Sequence, residues 1–125
     1  MTDGPAGRVI ELDVVDRNNR RAVGADVAFR INGRFAGRLL VGSNRSGPVT
    51  FEVRNPFATV EVRASLLGQV RTATVGPHER RATLVFDNVP RFAAGVDSRA
   101  TCPDGSSGSP CVECSEDGDS WRMCG

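Results

Sequence analysis

The sequence predicts an all-β protein, specifically a seven-stranded antiparallel Greek-key β-sandwich with an irregular, cysteine-bearing tail at its C-terminus. Two observations lead to this fold class. Residues 47–64 contain two runs in which apolar and polar side chains strictly alternate, which is typical of half-buried strands. Short turns rich in Gly, Pro and Asn separate the alternating runs along the chain, and no segment shows a helical period.

Three strands are expected before the alternating pair. The first covers residues 8–16, with Ile10, Leu12 and Val14 on its inward face, and ends in a polar turn. The second covers residues 25–32, with Ala25, Val27, Phe29 and Ile31 on its inward face. Asn32-Gly33 is a strong hairpin signal and joins the second strand to a third at residues 34–41. The alternation predicts that the inward-facing residues of this third strand are Phe35, Leu39 and Val41.

The alternating pair supplies the fourth and fifth strands. The fourth places Val49, Phe51 and Val53 on one face, and the fifth places Ala58, Val60, Val62 and Ala64 on one face. Pro56 separates the two strands, because proline cannot donate a ladder hydrogen bond. Two further strands, at residues 66–75 and 80–87, complete the predicted β-sandwich before the cysteines begin.

The chain of 125 residues is long enough for one domain with an appendage. We expect an N-terminal leader at residues 1–7, the β-sandwich at 8–90, a linker at 91–100 and the cysteine-rich tail at 101–125. No apolar run approaches the ~18 residues of a membrane span, so we expect no membrane insertion. No signal peptide is recognisable, which predicts a cytoplasmic protein, although a secreted protein trimmed to its mature form would look the same.

The ionisable residues argue against several kinds of catalysis. All 16 basic residues are arginines, and the chain has one histidine and no tyrosine. The absence of lysine excludes a lysine Schiff base and a lysine general base. The histidine, His78, lies in a predicted turn without the partner that a catalytic site requires. We therefore expect a protein that is not an enzyme.

Residues 8–87 resemble a known group of β-domains. A first strand leads through a polar turn to a Gly-Ala-x-Val strand at residues 24–27, and a Gly-x-x-x-Phe-x-Val strand follows at residues 47–53. This layout is similar to the transthyretin-like or carboxypeptidase-regulatory-like β-sandwich domain. The resemblance implies a stable module that positions or contacts another protein.

Two functional branches of this group depend on residues that the chain lacks. Bacterial adhesin repeats of similar fold form a Lys–Asn isopeptide bond. The hydroxyisourate hydrolases resemble transthyretin and use several histidines together with a tyrosine-containing C-terminal motif. Since the chain has no lysine, no tyrosine and one histidine, neither chemistry is expected.

All four cysteines lie in the tail, at Cys102, Cys111, Cys114 and Cys124. A segment so rich in Gly and Ser buries too little apolar surface to fold alone, so the cysteines are expected to stabilise it. Four thiolates can hold a tetrahedral Zn²⁺, and Cys111 and Cys114 form one CxxC pair of the kind found in zinc sites. A structural zinc site with these four ligands is the favoured interpretation.

Three other interpretations of the cysteines stay open. Two disulfides, in any of three pairings, would also stabilise the tail and would fit a secreted structural or adhesive subunit. A redox CxxC is disfavoured, because the acidic residues around it would raise the thiol pKa. The Cys, Ser and Thr content would also suit a precursor whose tail is modified by a partner enzyme.

Trp121 is the only tryptophan of the chain and the only large aromatic residue of the tail. It is a candidate partner-binding residue together with its neighbour Arg122, because a large aromatic side chain can anchor in a pocket of a partner. Alternatively, Trp121 docks the tail onto the β-domain.

Outward arginines on the strands could form a basic sheet face for nucleic acid. They are Arg30, Arg34, Arg38, Arg54, Arg63, Arg71 and Arg81. Glu52, Glu61 and Asp26 interleave with them, and the few aromatic residues are expected in the core, so stacking platforms are missing. We therefore expect a solvated, partly ion-paired face and no nucleic-acid partner.

The function expected from these features is a non-enzymatic protein-interaction or assembly module. Its cysteine-stabilised tail is expected to form part of the binding surface, and its partner is expected to be another protein. Strand edges at residues 8–16 or 34–41 could also pair with a strand of a partner or of a second copy.

Overall fold

The computed structural model describes residues 7–90 and 95–125. Residues 1–6 of the predicted leader and residues 91–94 of the predicted linker lie outside the described residues. The described residues form strands and no helix, which confirms the predicted all-β class. Accordingly, nothing in these two ranges forms a helix long and apolar enough to cross a membrane.

Eleven strands make up the described fold, whereas the sequence predicted seven. The first seven are β1 (Arg8–Asp16), β2 (Asp26–Ile31), β3 (Arg34–Leu40), β4 (Val49–Val53), β5 (Val60–Leu66), β6 (Gln69–Val75) and β7 (Arg81–Phe86). The last four are β8 (Arg99–Thr101), β9 (Ser107–Gly108), β10 (Cys111–Glu116) and β11 (Asp119–Cys124).

The strands form two sheets. The five-stranded sheet has the order β10-β11-β4-β1-β7, and the six-stranded sheet has the order β6-β5-β2-β3-β8-β9. The pairings of the described strands are antiparallel except that β1 and β7 run parallel. The prediction of a purely antiparallel arrangement is therefore wrong for this pair, which lies at one edge of the five-stranded sheet.

The two sheets share one hydrophobic core. Phe29 on β2 stacks on Phe51 on β4, so that rings from the two sheets meet with their centroids 4.4 Å apart. The residues that the alternation assigned inward in the first, second, fourth and fifth predicted strands are all buried. Removal of this apolar surface from water is the main stabilising contribution to such an arrangement.

Phe35 departs from the predicted alternation. Up to the Phe29–Gly37 pair, β2 and β3 pair in one register. Beyond it Arg30 pairs with Phe35, and Ala36 is left as the extra residue of a β-bulge. One extra residue reverses the side-chain parity of a strand, so Phe35 is 45% exposed. The prediction that Phe35 faces inward is wrong.

The bulge requires glycine at position 37. Gly37 has a φ of +130°, in the region that favours glycine. A Cβ at this position would lie 2.5 Å from Thr101 O and 2.6 Å from Met123 Cε. Only a residue without a side chain therefore fits where β3 approaches β8 and β11.

The cysteine-bearing segment was expected to be irregular, but it forms β8 to β11 and joins both sheets. β8 and β9 extend the six-stranded sheet, whereas β11 lies between β4 and β10 in the other. Trp121 and Met123 of this segment are buried in the shared core. The segment is ordered because these side chains join a core that the preceding strands have already built.

A buried arginine connects two loops at one end of the fold. Arg8 Nη1 donates to Pro56 O and Pro77 O, each at 2.7 Å, and Nη2 donates to Ala58 O at 2.9 Å. Arg8 is 4% exposed, and its Nε has no hydrogen-bond partner among the described residues. Loss of hydration on burial lowers the pKa of Arg8, while the three carbonyl dipoles partly replace the lost water. The loop that carries the exposed Phe57 is thereby fixed to its neighbour.

Candidate functional site: a groove on the six-stranded sheet

Two disulfides cross-link the strands of the C-terminal segment to one another. Cys102, which follows β8, bonds to Cys114 on β10 with a Cα–Cα distance of 5.6 Å. This bond links the two sheets. Cys111 on β10 bonds to Cys124 on β11 with a Cα–Cα distance of 4.2 Å, and so links neighbouring strands of one sheet. No cysteine is free.

The structure does not support the favoured prediction of a zinc site at Cys102, Cys111, Cys114 and Cys124. Zinc binds thiolates, and a sulfur in a disulfide is not a thiolate. Within residues 7–90 and 95–125, no group of three or more His, Cys, Asp or Glu side chains could hold a metal ion. The structure instead shows the alternative with two disulfides.

Trp121 lies in the core rather than on the surface. It is 4% exposed, and its indole Nε1 donates to Ala36 O at 2.7 Å. Since Ala36 is the extra residue of the β-bulge, this hydrogen bond connects β11 to the bulge. Trp121 therefore docks the C-terminal segment onto the rest of the fold, as the alternative interpretation proposed, and offers no anchor to a partner in this conformation.

Arg122 is at the surface, on the outer face of the five-stranded sheet. Its guanidinium donates to Glu113 Oε1 at 2.5 Å and to Glu52 Oε2 at 3.3 Å. The hydrogen bond to Glu113 raises the pKa of Arg122 above its usual value. The structure thus separates the two predicted partner-binding residues, because Trp121 faces the core and Arg122 is already paired with two carboxylates.

The two strands named as possible edges both lie inside the sheets. β1 has β4 and β7 as neighbours, and β3 has β2 and β8. β4 pairs with residues 8–12 of β1 and β7 with residues 11–16, while β8 pairs with residues 38–40 of β3. Neither strand is therefore an outermost strand that offers its full length to a strand of a partner. The outermost strands are β7 and β10 in one sheet and β6 and β9 in the other.

A groove on the outer face of the six-stranded sheet brings together residues that the sequence did not predict as a site. Its volume is about 580 Å³, and its walls come from β2, β3, β5 and β6. The lining side chains that matter for binding are Ala28, Arg30, Phe35, Arg38, Arg63 and Thr72. We call this feature the Phe35 groove.

Cross-strand pairing sets the positions of the side chains in the Phe35 groove. In one row Ala28 on β2 lies between Arg38 on β3 and Arg63 on β5. In the next row Arg30 lies beside Phe35. Neighbouring Cβ atoms in such a row are about 5 Å apart. The methyl group of Ala28 therefore forms a low floor between two long side chains.

The Phe35 groove carries positive charge. Three arginines and one glutamate, Glu61, contribute to its lining, which gives a formal net charge of +2. Arg38 donates to Asp26 Oδ2 at 2.5 Å. Arg30 and Arg63 form no ion pair with any described residue. Two guanidinium groups are thus available to an anionic group.

Sequence reasoning placed the arginines of this face correctly but missed its aromatic residue. Arg30, Arg38 and Arg63 are exposed, as the alternation predicted. Phe35 was assigned to the core, and this assignment removed from the face the one large aromatic side chain that the described residues place there. The signal that could have found it is Gly37, because a glycine inside a strand pattern often marks a bulge.

The C-terminal segment borders the Phe35 groove. Thr101 on β8 pairs with Arg38, and Arg99 on the same strand donates from Nη2 to Ser107 Oγ on β9 at 2.9 Å. Cys102 directly follows Thr101 and is bonded to the other sheet. The border of the groove is therefore held in place by a disulfide.

Comparisons of this chain with protein-family models, with curated proteins and with solved structures find no match. The resemblance of residues 8–87 to transthyretin-like domains therefore stays a prediction.

Proposed function

We propose that this protein is a non-enzymatic protein-interaction module that binds another protein through the Phe35 groove. The observation that carries the proposal is the β-bulge at Ala36, which turns Phe35 outward beside Arg30. An aromatic ring so exposed contributes little to the core of its own fold. Aromatic and arginine side chains are, however, the residues that most often dominate binding energy at protein interfaces.

The surroundings of the Phe35 groove favour a fixed binding surface. The groove lies on strands, Ala36 O is hydrogen-bonded to Trp121, and β8 beside it is held by the disulfide at Cys102. Side chains that are already arranged for binding lose less conformational entropy when a partner arrives. The adjacent β8 and β9 support the expectation that the C-terminal segment forms part of the binding surface.

The chemistry of the Phe35 groove favours binding over catalysis. An arginine side chain stays protonated and cannot act as a general base. Glu61 is the one carboxylate among the described lining residues, and a catalytic site needs a nucleophile or base together with a group that orients it. The zinc ion favoured from the sequence has no part in the proposal, because the cysteines are in disulfides.

The disulfides favour an oxidising compartment over the cytoplasmic location that the sequence predicted. They also favour a second candidate function, a secreted structural or adhesive subunit.

Intact mass under non-reducing, denaturing conditions tests the compartment in protein isolated from its source. Loss of the hydrogens of all cysteine thiols is expected, whereas recovery of free thiols would contradict an oxidising location.

A matched pair of variants tests the proposed function. Phe35 and Val9 are 45% and 44% exposed and lie on the outer faces of opposite sheets. Each variant, Phe35→Ser and Val9→Ser, is used to capture bound protein from the source organism. We expect the Phe35→Ser variant to lose the partner that the wild type and the Val9→Ser variant retain. Equal capture by both variants would show that the partner binds elsewhere.

A further inference from the structure

We propose that the Phe35 groove binds an acidic segment of the partner protein, and that one carboxylate of this segment lies over Ala28 between Arg38 and Arg63. This inference rests on the proposed function, because it names the chemistry of the partner at the same groove.

Three guanidinium groups surround the floor of the groove. Arg38 and Arg63 flank Ala28 on the neighbouring strands, and Arg30 follows two positions later on the same face of β2. Guanidinium groups hold carboxylates in a planar, bidentate geometry. Any residue longer than alanine at position 28 would fill the space between the two flanking arginines. The small side chain therefore leaves room for the bound group.

The charge of the groove is available to a ligand. Arg63 and Arg30 have no carboxylate within ion-pair distance among the described residues, so a ligand has no internal carboxylate to displace from them. The Arg38–Asp26 pair is largely solvent-exposed, with side-chain exposures of 61% and 40%. Such surface pairs contribute little and exchange readily. The complementary ligand therefore carries negative charge.

Phe35 and Glu61 restrict which anion fits. Phe35 pairs with Arg30 across the strands and offers an apolar wall to a side chain beside the bound carboxylate. Glu61, on the other side of Arg30, faces Thr74 and repels a second anion in that row. An acidic residue next to an apolar one therefore fits the groove better than the continuous negative charge of a nucleic acid.

Amide chemical shifts test this inference directly. The ¹⁵N-labelled protein is titrated with a short blocked peptide in which a phenylalanine lies between two glutamates, and with a second peptide in which both glutamates are glutamines. We expect the glutamate peptide to shift the amide signals of Ala28, Arg30 and Arg63. The glutamine peptide is expected to bind at least roughly ten-fold more weakly than the glutamate peptide, because hydrogen bonds to charged groups are stronger than those to neutral groups.

Two arginine variants give the matched control. Arg63 and Arg54 are both exposed and form no ion pair with a described residue, but Arg54 follows β4 in the opposite sheet. The Arg63→Ala variant is expected to weaken binding of the glutamate peptide by roughly ten-fold. The Arg54→Ala variant is expected to leave it unchanged. The amide spectra of the free variants show whether each is folded.

Several outcomes would overturn the inference. These are equal affinity for the two peptides, shifts confined to other surfaces, or no shift at millimolar peptide. A single-stranded oligonucleotide serves as a third probe, and tighter binding of this probe in the groove would assign the site to nucleic acid instead. If capture of the partner depends on Phe35 but the glutamate peptide does not bind, the inference fails while the proposed function stands. Capture that is insensitive to Phe35 refutes the proposed function itself.

Discussion

Replacing Cys102 and Cys114 with alanine removes the covalent link between the two sheets. The disulfide joins residues with a sequence separation of 12, and both cysteines are 4% exposed. In the chain-entropy model, closing a loop of this length restricts the unfolded chain by about 3 kcal/mol at 25 °C. We therefore expect the double variant to lose about 3 kcal/mol of unfolding free energy. The small alanine side chains add only minor cavities.

Urea unfolding followed by two probes measures this loss. Trp121 is the only tryptophan and is buried in the same core as Phe29 and Phe51, so its fluorescence reports on the C-terminal segment within the whole fold. Far-UV circular dichroism reports on the strands of both sheets. We expect the two transitions to coincide in the wild type and in the variant, because a single core produces a single cooperative transition.

The control variant is Cys111→Ala/Cys124→Ala. Its disulfide has a sequence separation of 13, so that its removal changes the loop-closure entropy of the unfolded chain by a similar amount. It leaves the link between the sheets intact. A loss below about 0.5 kcal/mol in the Cys102→Ala/Cys114→Ala variant would refute the reasoning, because changes of that size are typical of surface sites without structural roles. A fluorescence transition that precedes the circular dichroism transition would refute it as well, since the segment would then unfold separately.

Four further substitutions, one of them a control, test particular features by urea unfolding. Gly37→Ala is expected to lower the free energy of unfolding by about 3 kcal/mol, because the added Cβ meets Thr101 O and Met123. Its control, Gly33→Ala, has φ +84° but open space around the added Cβ, and is expected to lower it by about 1 kcal/mol. Equal losses in the two variants would contradict the bulge geometry. Arg8→Met removes three hydrogen bonds to carbonyls and is expected to cost about 3 kcal/mol, and an unchanged stability would show that the loops need no buried cation. Leu67→Asn is expected to stabilise by about 1 kcal/mol, because Leu67 is 64% exposed with φ +50°, a conformation that asparagine adopts more readily; a destabilised variant would indicate a contact for the leucine.

Local alternation was sufficient to predict which side chains of strands such as β1 and β4 face the core. Where apolar residues alternate without interruption, as in Val49 to Val53 or Ile10 to Val14, each inward assignment matches a buried residue. In an extended strand, successive side chains point to opposite faces of the sheet, so apolar residues at every second position all lie on one face. No long-range information is needed to make this step.

Pairing between distant strands could not be predicted in the same way. Phe35 faces outward because Ala36 is an extra residue relative to β2, and the need for Gly37 arises from contacts with residues 101 and 123. The parallel pairing of β1 with β7 joins residues that are far apart in the sequence, such as Glu11 and Arg81, and alternation carries no signal for such a pairing. Both features depend on tertiary contacts rather than on local periodicity.

The C-terminal segment was misjudged for a related physical reason. Its composition predicts too little apolar surface for independent folding, and this remains a valid statement about the isolated segment. In the chain, however, Trp121 and Met123 complete a core supplied by other strands. Pairing of β8 with β3 and of β11 with β4 places the segment in both sheets, and the disulfides cross-link its own strands. The candidate groove was missed for a separate reason, because the bulge that turns Phe35 outward depends on the pairing of β3 with β2.

Arginine modification by phenylglyoxal, with and without the bound partner, tests most directly whether the Phe35 groove is the binding site. Peptide mapping by mass spectrometry then gives the extent of modification at each arginine, in a chain that has no lysine. We expect the partner to protect Arg30 and Arg63 and to leave Arg54, which follows β4 in the opposite sheet, as reactive as in the free protein. Protection of Arg54 with continued modification of Arg30 and Arg63 would contradict it.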